Sequence, residues 1–275
     1  MPANLKTTNS SALGDVIAPK SSGPLKGSAI WLPLSVALGF LLLWEIGVRV
    51  ASVPEVILPR PSRVLWLIGD KSQILFTHMI PTTLEAAGGF LIASVLGIAL
   101  AIWLSYSKLA HQALYPNLVL FQLIPKIALA PLFIMWIGIG SESRLAFSVF
   151  ISIFPIVIAT LAGFANTDPN IVKLCRSLAA TEWQIFRTVR FPSALPYIFS
   201  GMKIGMTLAI IGVIIGEFIT SQRGLGYLII FATSRADTMV AMAAITVLCL
   251  AGLFLYGLVA LAEMLFNRKY GVPRG

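Results

Sequence analysis

Residues 168–196 read DPNIVKLCRSLAATEWQIFRTVRFPSALP, a polar and basic stretch between two runs apolar enough to cross a bilayer. Asp168 followed by Pro169 has the form of an N-cap with proline at the first helical position. Thr181-Glu182-Trp183-Gln184 has the form of a capping box, with an acid where the helix dipole favours one. One helix is therefore expected to stop near Ala179 and Ala180. A second is expected to run from Glu182 to Phe191, before Pro192, so that the pair makes a bent elbow outside the membrane. Its apolar residues Leu174, Leu178, Trp183, Phe186 and Val189 fall at helical spacing. Something must cover that face, either the ends of the chain's own spans or a partner.

Composition points to a membrane independently. The 275 residues are 57% hydrophobic and 11% charged, with a mean hydropathy of +0.89, which excludes an ordinary soluble domain. About 20 apolar residues suffice to cross the hydrocarbon, and windows at 29–51, 82–106, 114–137, 145–164, 198–219 and 240–266 qualify. The expected fold is all-α: a polytopic membrane protein with six transmembrane helices and a two-helix elbow. Lysine and arginine decide the orientation. With the N-terminus inside, Lys6, Lys20, Lys26, Lys108, Lys173, Arg176, Arg187, Arg190, Arg268, Lys269 and Arg274 fall on the cytoplasmic side, against Arg60, Arg63, Lys71, Arg144, Arg223 and Arg235 outside. Both termini and the elbow are then cytoplasmic. The +9 net charge is scattered over loops and gives no reason to invoke nucleic acid. Residues 1–28, rich in Ser, Thr, Pro and Gly, read as a flexible cytoplasmic tail rather than a cleavable signal, because the first apolar run starts late and is long enough to span. Residues 29–275 form the transmembrane domain, which contains the elbow.

The third window is the unusual one. Pro125 and Pro131 each remove a backbone donor, so a kink is expected at each. Between them stands Lys126, a cation costing about 2.5–3.5 kcal/mol at mid-membrane. It either lines a pathway, or snorkels or pairs with a buried acid. Glu217, near the outer end of the fifth window and just before Gly224-Leu225-Gly226, either braces the outer loop or gates its mouth. Glu45 and Arg49 are spaced for a helical ion pair. Glu85 and Glu263 read as interfacial, and Lys203 as a positive-inside residue at the start of the fifth span. His78 and His111 read as solvated or interfacial, near loops. Gly88, Gly89, Ala93 and Gly97, and Gly201, Gly205, Ala209 and Gly212, form small-residue stripes suited to close helix packing or to a dimer seam. Cys175 and Cys249 lie at different depths and suggest neither a disulfide nor a metal site. No phosphate loop, His-Glu-x-x-His or Gly-x-Ser-x-Gly occurs, so no catalytic residue is assigned.

Ser177-Leu178-Ala179-Ala180-Thr181-Glu182-Trp183, followed by Val189-Arg190-Phe191-Pro192, resembles the cytoplasmic loop of binding-protein-dependent ABC transporter permeases. Two departures stand out: Lys173-Leu174-Cys175 where that family often has Glu-Ala-Ala, and Ala179 where it has glycine. Leu58-Pro59-Arg60-Pro61-Ser62, the run from Ile124 to Leu132, Trp136-Ile137-Gly138-Ile139-Gly140, and Gly216-Glu217-Phe218 with Gly224-Leu225-Gly226-Tyr227 are similar to the nitrate, sulfonate and taurine branch.

The resemblance implies an inner-membrane importer subunit working as a homodimer, with two cytoplasmic ATPase subunits and an external solute-binding protein. ATP would be bound by the partner, with no cofactor or metal on this chain. Ser177, Leu178, Ala179, Ala180, Thr181, Glu182 and Trp183 would couple to the ATPase. Pro125, Lys126, Pro131 and Glu217 are the pathway candidates. The implied solute is nitrate, a sulfonate, taurine or a related organic anion, with a pyrimidine vitamin precursor or aromatic carboxylate as the alternative. A secondary transporter would instead carry its acids near the midplane, and those here fall mostly near span ends. A membrane enzyme would need convergent catalytic groups.

Overall fold

The computed structural model describes residues 28–220 and 222–270. The tail assigned to residues 1–28 lies outside them except for Ser28. In chain order the helices are α1 (Ser28–Val50), α2 (Pro61–Asp70), α3 (Ser72–Tyr106), α4 (Lys108–Leu123), α5 (Ala130–Ile137), α6 (Ser141–Ala165), α7 (Pro169–Ser177), α8 (Glu182–Ile185), α9 (Phe191–Thr220), α10 (Leu225–Ser234) and α11 (Thr238–Tyr270). Five long apolar helices, with α4 and α5 as one bent span, give the six expected crossings. The described residues up to Ala51 form one compact unit and those from Ser52 another. Within the first, α1 carries its expected ion pair, Arg49 to Glu45 at 2.7 Å.

In the second unit α6 is the central helix, and glycines decide how closely its neighbours approach. A methyl placed on Gly201 would lie 2.6 Å from Ala159 Cβ, one on Gly205 2.8 Å from Ile156 Cδ1, and one on Gly212 2.9 Å from Ser148 Cα. From the opposite side, Gly89 abuts Ser148, and a methyl on Gly97 would lie 3.1 Å from Ile156 Cγ2. Both small-residue stripes are therefore spent on α6. Phe90, Ile156, Phe199, Met206, Val213 and Leu255 close the core where α3, α6, α9 and α11 meet. At one end α2 and α10 lie over it, with Val64, Leu67, Leu75, Leu225, Leu228 and Val247 forming a separate apolar cluster.

Three boundaries differ from the sequence reading. α3 begins at Ser72 rather than near residue 82, running through Pro81, because Leu75 is buried in that end cluster. The third span is broken rather than twice kinked. α4 and the segment Lys126–Ile137 meet at 91° next to Pro125, while Pro131 sits in the first turn of α5, where its missing donor costs nothing. The second elbow helix does not stop before Pro192. It passes through a π turn, Phe186–Arg190, directly into α9. In that turn the ladder shifts by one residue, Phe191 N–H bonding Phe186 O, just before Pro192 withdraws its donor. Thr188 and Ser193 add hydroxyl donors to Gln184 O and Val189 O, at 2.6 and 2.7 Å.

The elbow's bend follows the expected capping. Asp168 accepts from Asn170 N–H at 2.8 Å, and the Thr181–Gln184 capping box is formed in both directions. Between them, Ala180 N–H bonds Cys175 O and Ala179 N–H bonds Arg176 O, both at 3.0 Å, a Schellman closure. That closure needs a left-handed residue at Ala179, whose φ is +57°, and alanine adopts this at a cost of about 1–2 kcal/mol. Ala179→Gly is therefore expected to stabilise the elbow by about 1 kcal/mol, read as slower amide exchange at Ala180 and Thr181. Unchanged or faster exchange would contradict it.

Candidate functional site

Three constellations emerge. The first is the elbow. Arg176 Nε donates to Glu182 Oε1 at 2.9 Å, and Nη2 to the same oxygen at 2.8 Å, tying α7 to α8 across the bend. Phe186 anchors the pair, buried with Phe164, Ala194 and Ile198 and tilted against Tyr106 at 5.7 Å. Leu174, Leu178 and Trp183 stay 60%, 74% and 65% exposed. Of the five apolar elbow residues, Phe186 is covered by the chain's own spans; these three point away from them. Ser177 through Trp183 thus lie together around one rigid, solvent-facing bend.

The second is the break in the third span. Pro125 ends the regular ladder, and Lys126 follows in a short 3-10 turn, Lys126–Leu129. Its ammonium lies 5.3 Å from the Phe154 ring centre. Phe154 belongs to a ring cluster with Phe121 at 5.9 Å and Phe150 at 5.4 Å, and Phe150 meets Phe133 at 5.2 Å. Among the described residues Lys126 enters no ion pair with a carboxylate, so a cation–π contact takes the place of a buried acid.

The third lies at the opposite end of the bundle and holds α10. The N-cap, Gly224, has no side chain, and its φ of +109° suits glycine. The helix's first N–H groups therefore find acceptors elsewhere. Gly224 N–H donates to His78 Nδ1 at 3.1 Å, Leu225 N–H to Thr82 Oγ1 at 2.8 Å, and Gly226 N–H to Glu217 Oε2 at 2.7 Å. Thr82 in turn donates to Glu217 Oε1 at 2.7 Å. Glu217, 2% exposed, is a brace in this geometry. His78 is not a solvated loop residue. It stands on α3, ring-stacked on Tyr227 at 5.8 Å.

Beside this clamp, Arg144 of α6 makes a two-pronged pair with Glu85 of α3. Nε bonds Oε2 at 2.7 Å and Nη2 bonds Oε1 at 2.6 Å, with both side chains 11% exposed. Glu85, read as interfacial, thus has a partner that the sequence did not suggest, in the first turn of α6. Gly216 makes room for the stem, since a methyl there would lie 2.6 Å from Arg144 Cγ. Lys203 and Glu263 likewise pair with each other, at 2.5 Å between α9 and α11. His78, Thr82, Glu85 and Arg144 were all missed as partners. The available signal was a lone acid, Glu217, shortly before a glycine-rich turn whose N–H groups lack a local cap.

Residues 93–269 match the family of binding-protein-dependent transport system inner membrane components. A probable ABC transporter permease of Haemophilus influenzae is 34% identical, over 82% of this chain and 91% of its own length. The riboflavin transport system permease of Chloroflexus aurantiacus is 35% identical over 87% and 90%, and the formylaminopyrimidine transport permease of Halalkalibacterium halodurans 35% over 71% and 78%. The inward-facing MetNI methionine ABC transporter shares the fold, with a TM-score of 0.60 at 18% identity over 73% of this chain and 98% of that one. The chain is accordingly a multi-pass inner-membrane permease of the ABC importer class, belonging to the binding-protein-dependent transport system family.

Proposed function

We propose that two copies of this chain form the pore of an ATP-driven importer, served by two cytoplasmic ATPase subunits and an external solute-binding protein. Both termini and the elbow face the cytoplasm. ATP is bound by the ATPases, and this chain contributes no catalytic or metal-binding residue. The observation that carries the reading is the elbow itself: capped at its start and at its bend, cross-tied by Arg176 and Glu182, and showing Leu178 and Trp183 to solvent. Being continuous with α9 through the π turn, it transmits a push from an ATPase into a span without a flexible joint. Glu182→Lys opposes the helix dipole and repels Arg176. It is expected to cut substrate-stimulated ATP hydrolysis and uptake about tenfold, the effect of losing ~1.4 kcal/mol of coupling, while the membrane subunit still inserts. Wild-type stimulation by a Glu182→Lys complex would reduce the elbow to a structural part.

For the solute, the sequence alone favours a small organic anion, and relatives named for aliphatic sulfonates and taurine are 28% and 26% identical. A second reading, a flat heteroaromatic vitamin or precursor, draws support from the two 35% relatives named for riboflavin and formylaminopyrimidine. The ring cluster around Lys126 suits stacking against such a solute as well as holding an anion. In reconstituted complex at matched protein levels, Lys126→Met should lower anion uptake about tenfold, the size of a lost contact of ~1–2 kcal/mol, and leave basal ATP hydrolysis intact. Lys126→Arg, which keeps the charge and changes its shape, should retain part of that uptake. Unimpaired uptake of every solute by Lys126→Met would remove the residue from the pathway; loss confined to anions would separate the two solute classes.

A further inference from the structure

Two adjoining hollows at the elbow end share two wall residues, Phe164 and Arg190. The first, about 260 Å³, has Leu104, Leu161 and Phe164 as an apolar floor and Lys108 and Arg190 on its rim. The second, about 330 Å³, lies between the end of α6 and α7 and adds Lys173 and Arg176. Carboxylate is scarce there. Glu182 is committed to Arg176 at 2.8 Å and reaches Arg190 only at 4.0 Å. Lys108 and Lys173 enter no ion pair among the described residues.

We infer that this cleft holds the phosphodiester headgroup of an anionic phospholipid, with its phosphate on Arg190. The inference rests on the orientation proposed above, which sets the cleft at the level of the cytoplasmic leaflet. Charge alone would suit free phosphate equally well. The place of the cleft favours the lipid, because it opens where the apolar helices α3 and α6 end and α4 begins, where a headgroup can stand with its acyl chains alongside the spans. Basic pockets between transmembrane helices on the cytoplasmic side are places where acidic headgroups bind. The cleft adjoins the elbow and is lined by residues of α3, α4, α6, α7 and the π turn, so its occupant would brace the element that meets the ATPase.

The test is lipid binding to the purified permease in detergent, read by native mass spectrometry during titration with phosphatidylglycerol or phosphatidylcholine. Phosphatidylglycerol is expected to bind about tenfold or more tightly, and the double variant Arg190→Gln, Lys108→Gln to erase that preference. The double variant Arg268→Gln, Lys269→Gln, in the last turn of α11, serves as the charge-matched control and should retain it. Equal binding of the two lipids by the wild-type protein overturns the site, as does full preference in the Arg190→Gln, Lys108→Gln variant. Displacement of phosphatidylglycerol by excess inorganic phosphate also overturns it, by assigning the cleft to a free anion. The readout needs no ATPase. Intact ATP-driven uptake without lipid preference counts against the lipid site alone, and lipid preference without ATP-driven uptake counts against the importer reading alone.

Discussion

Glu217→Ala is expected to lower the midpoint of thermal unfolding in detergent by roughly 10 °C, from a loss of about 3–5 kcal/mol. The truncation strands Gly226 N–H, which bonds Glu217 Oε2 at 2.7 Å, leaves Thr82 only the longer bond to His78 O at 3.2 Å, and opens a cavity in a buried site. Each unpaired buried donor costs about 1–3 kcal/mol. Glu217→Gln keeps an oxygen for Gly226 and leaves Thr82 free to donate to His78 O, 3.2 Å away, so it should cost less than half as much. Gly224→Ala should resemble Glu217→Ala by a different route, because the new methyl falls on the Glu217 carboxylate and φ is +109°. Tryptophan fluorescence during heating is the measurement. A wild-type midpoint for Glu217→Ala would show that α10 does not depend on this clamp.

Arg144→Met should be comparably damaging, for a reason of charge rather than of hydrogen-bond count. Removing one member of a buried pair leaves the other uncompensated, at a cost of about 3–5 kcal/mol. Glu85 would lose bonds of 2.6 and 2.7 Å at a position only 11% exposed. The double variant Glu85→Gln, Arg144→Met should recover much of the loss, since two neutral groups need no charge partner. The coupling energy from folded yield and thermal midpoint across the four proteins decides it. Additive losses would mean that the two residues act independently.

The elbow was legible because helix capping is local. Asp168, Pro169, Thr181 and Gln184 specify helix starts over three or four residues, and the structure forms each of them. The membrane class was legible from composition, and the five straight spans from run length. What escaped detection depends on distance along the chain. Glu85 and Arg144 are 59 residues apart, and Thr82 and Glu217 are 135 apart, so neither pairing leaves a local trace. α2 and α10, ten residues each, are too short for a window tuned to about 20. Pro192 was read as a stop and the second window began only after Pro81, but the π turn accommodates the first and tertiary burial carries the helix through the second. Pro131 sat in a first turn that could be recognised only once the break at Pro125 was known.

The glycine contacts along α6 limit the kinds of motion open to this protein. Ser148 and Ile156 of α6 each meet glycines of both neighbours: Gly89 and Gly212 at Ser148, and Gly97 and Gly205 at Ile156. Sliding either neighbour along α6 by one residue, about 1.5 Å, would carry a side chain into a space that admits only a hydrogen. Shear within the α3–α6–α9 slab is therefore blocked, and its three helices move as one plate. On the importer reading proposed above, opening and closing would then be a rotation of whole plates, with their hinge outside the slab, so that a small tilt delivered at the elbow would become a displacement of the same plate at α10, at the opposite end of the bundle.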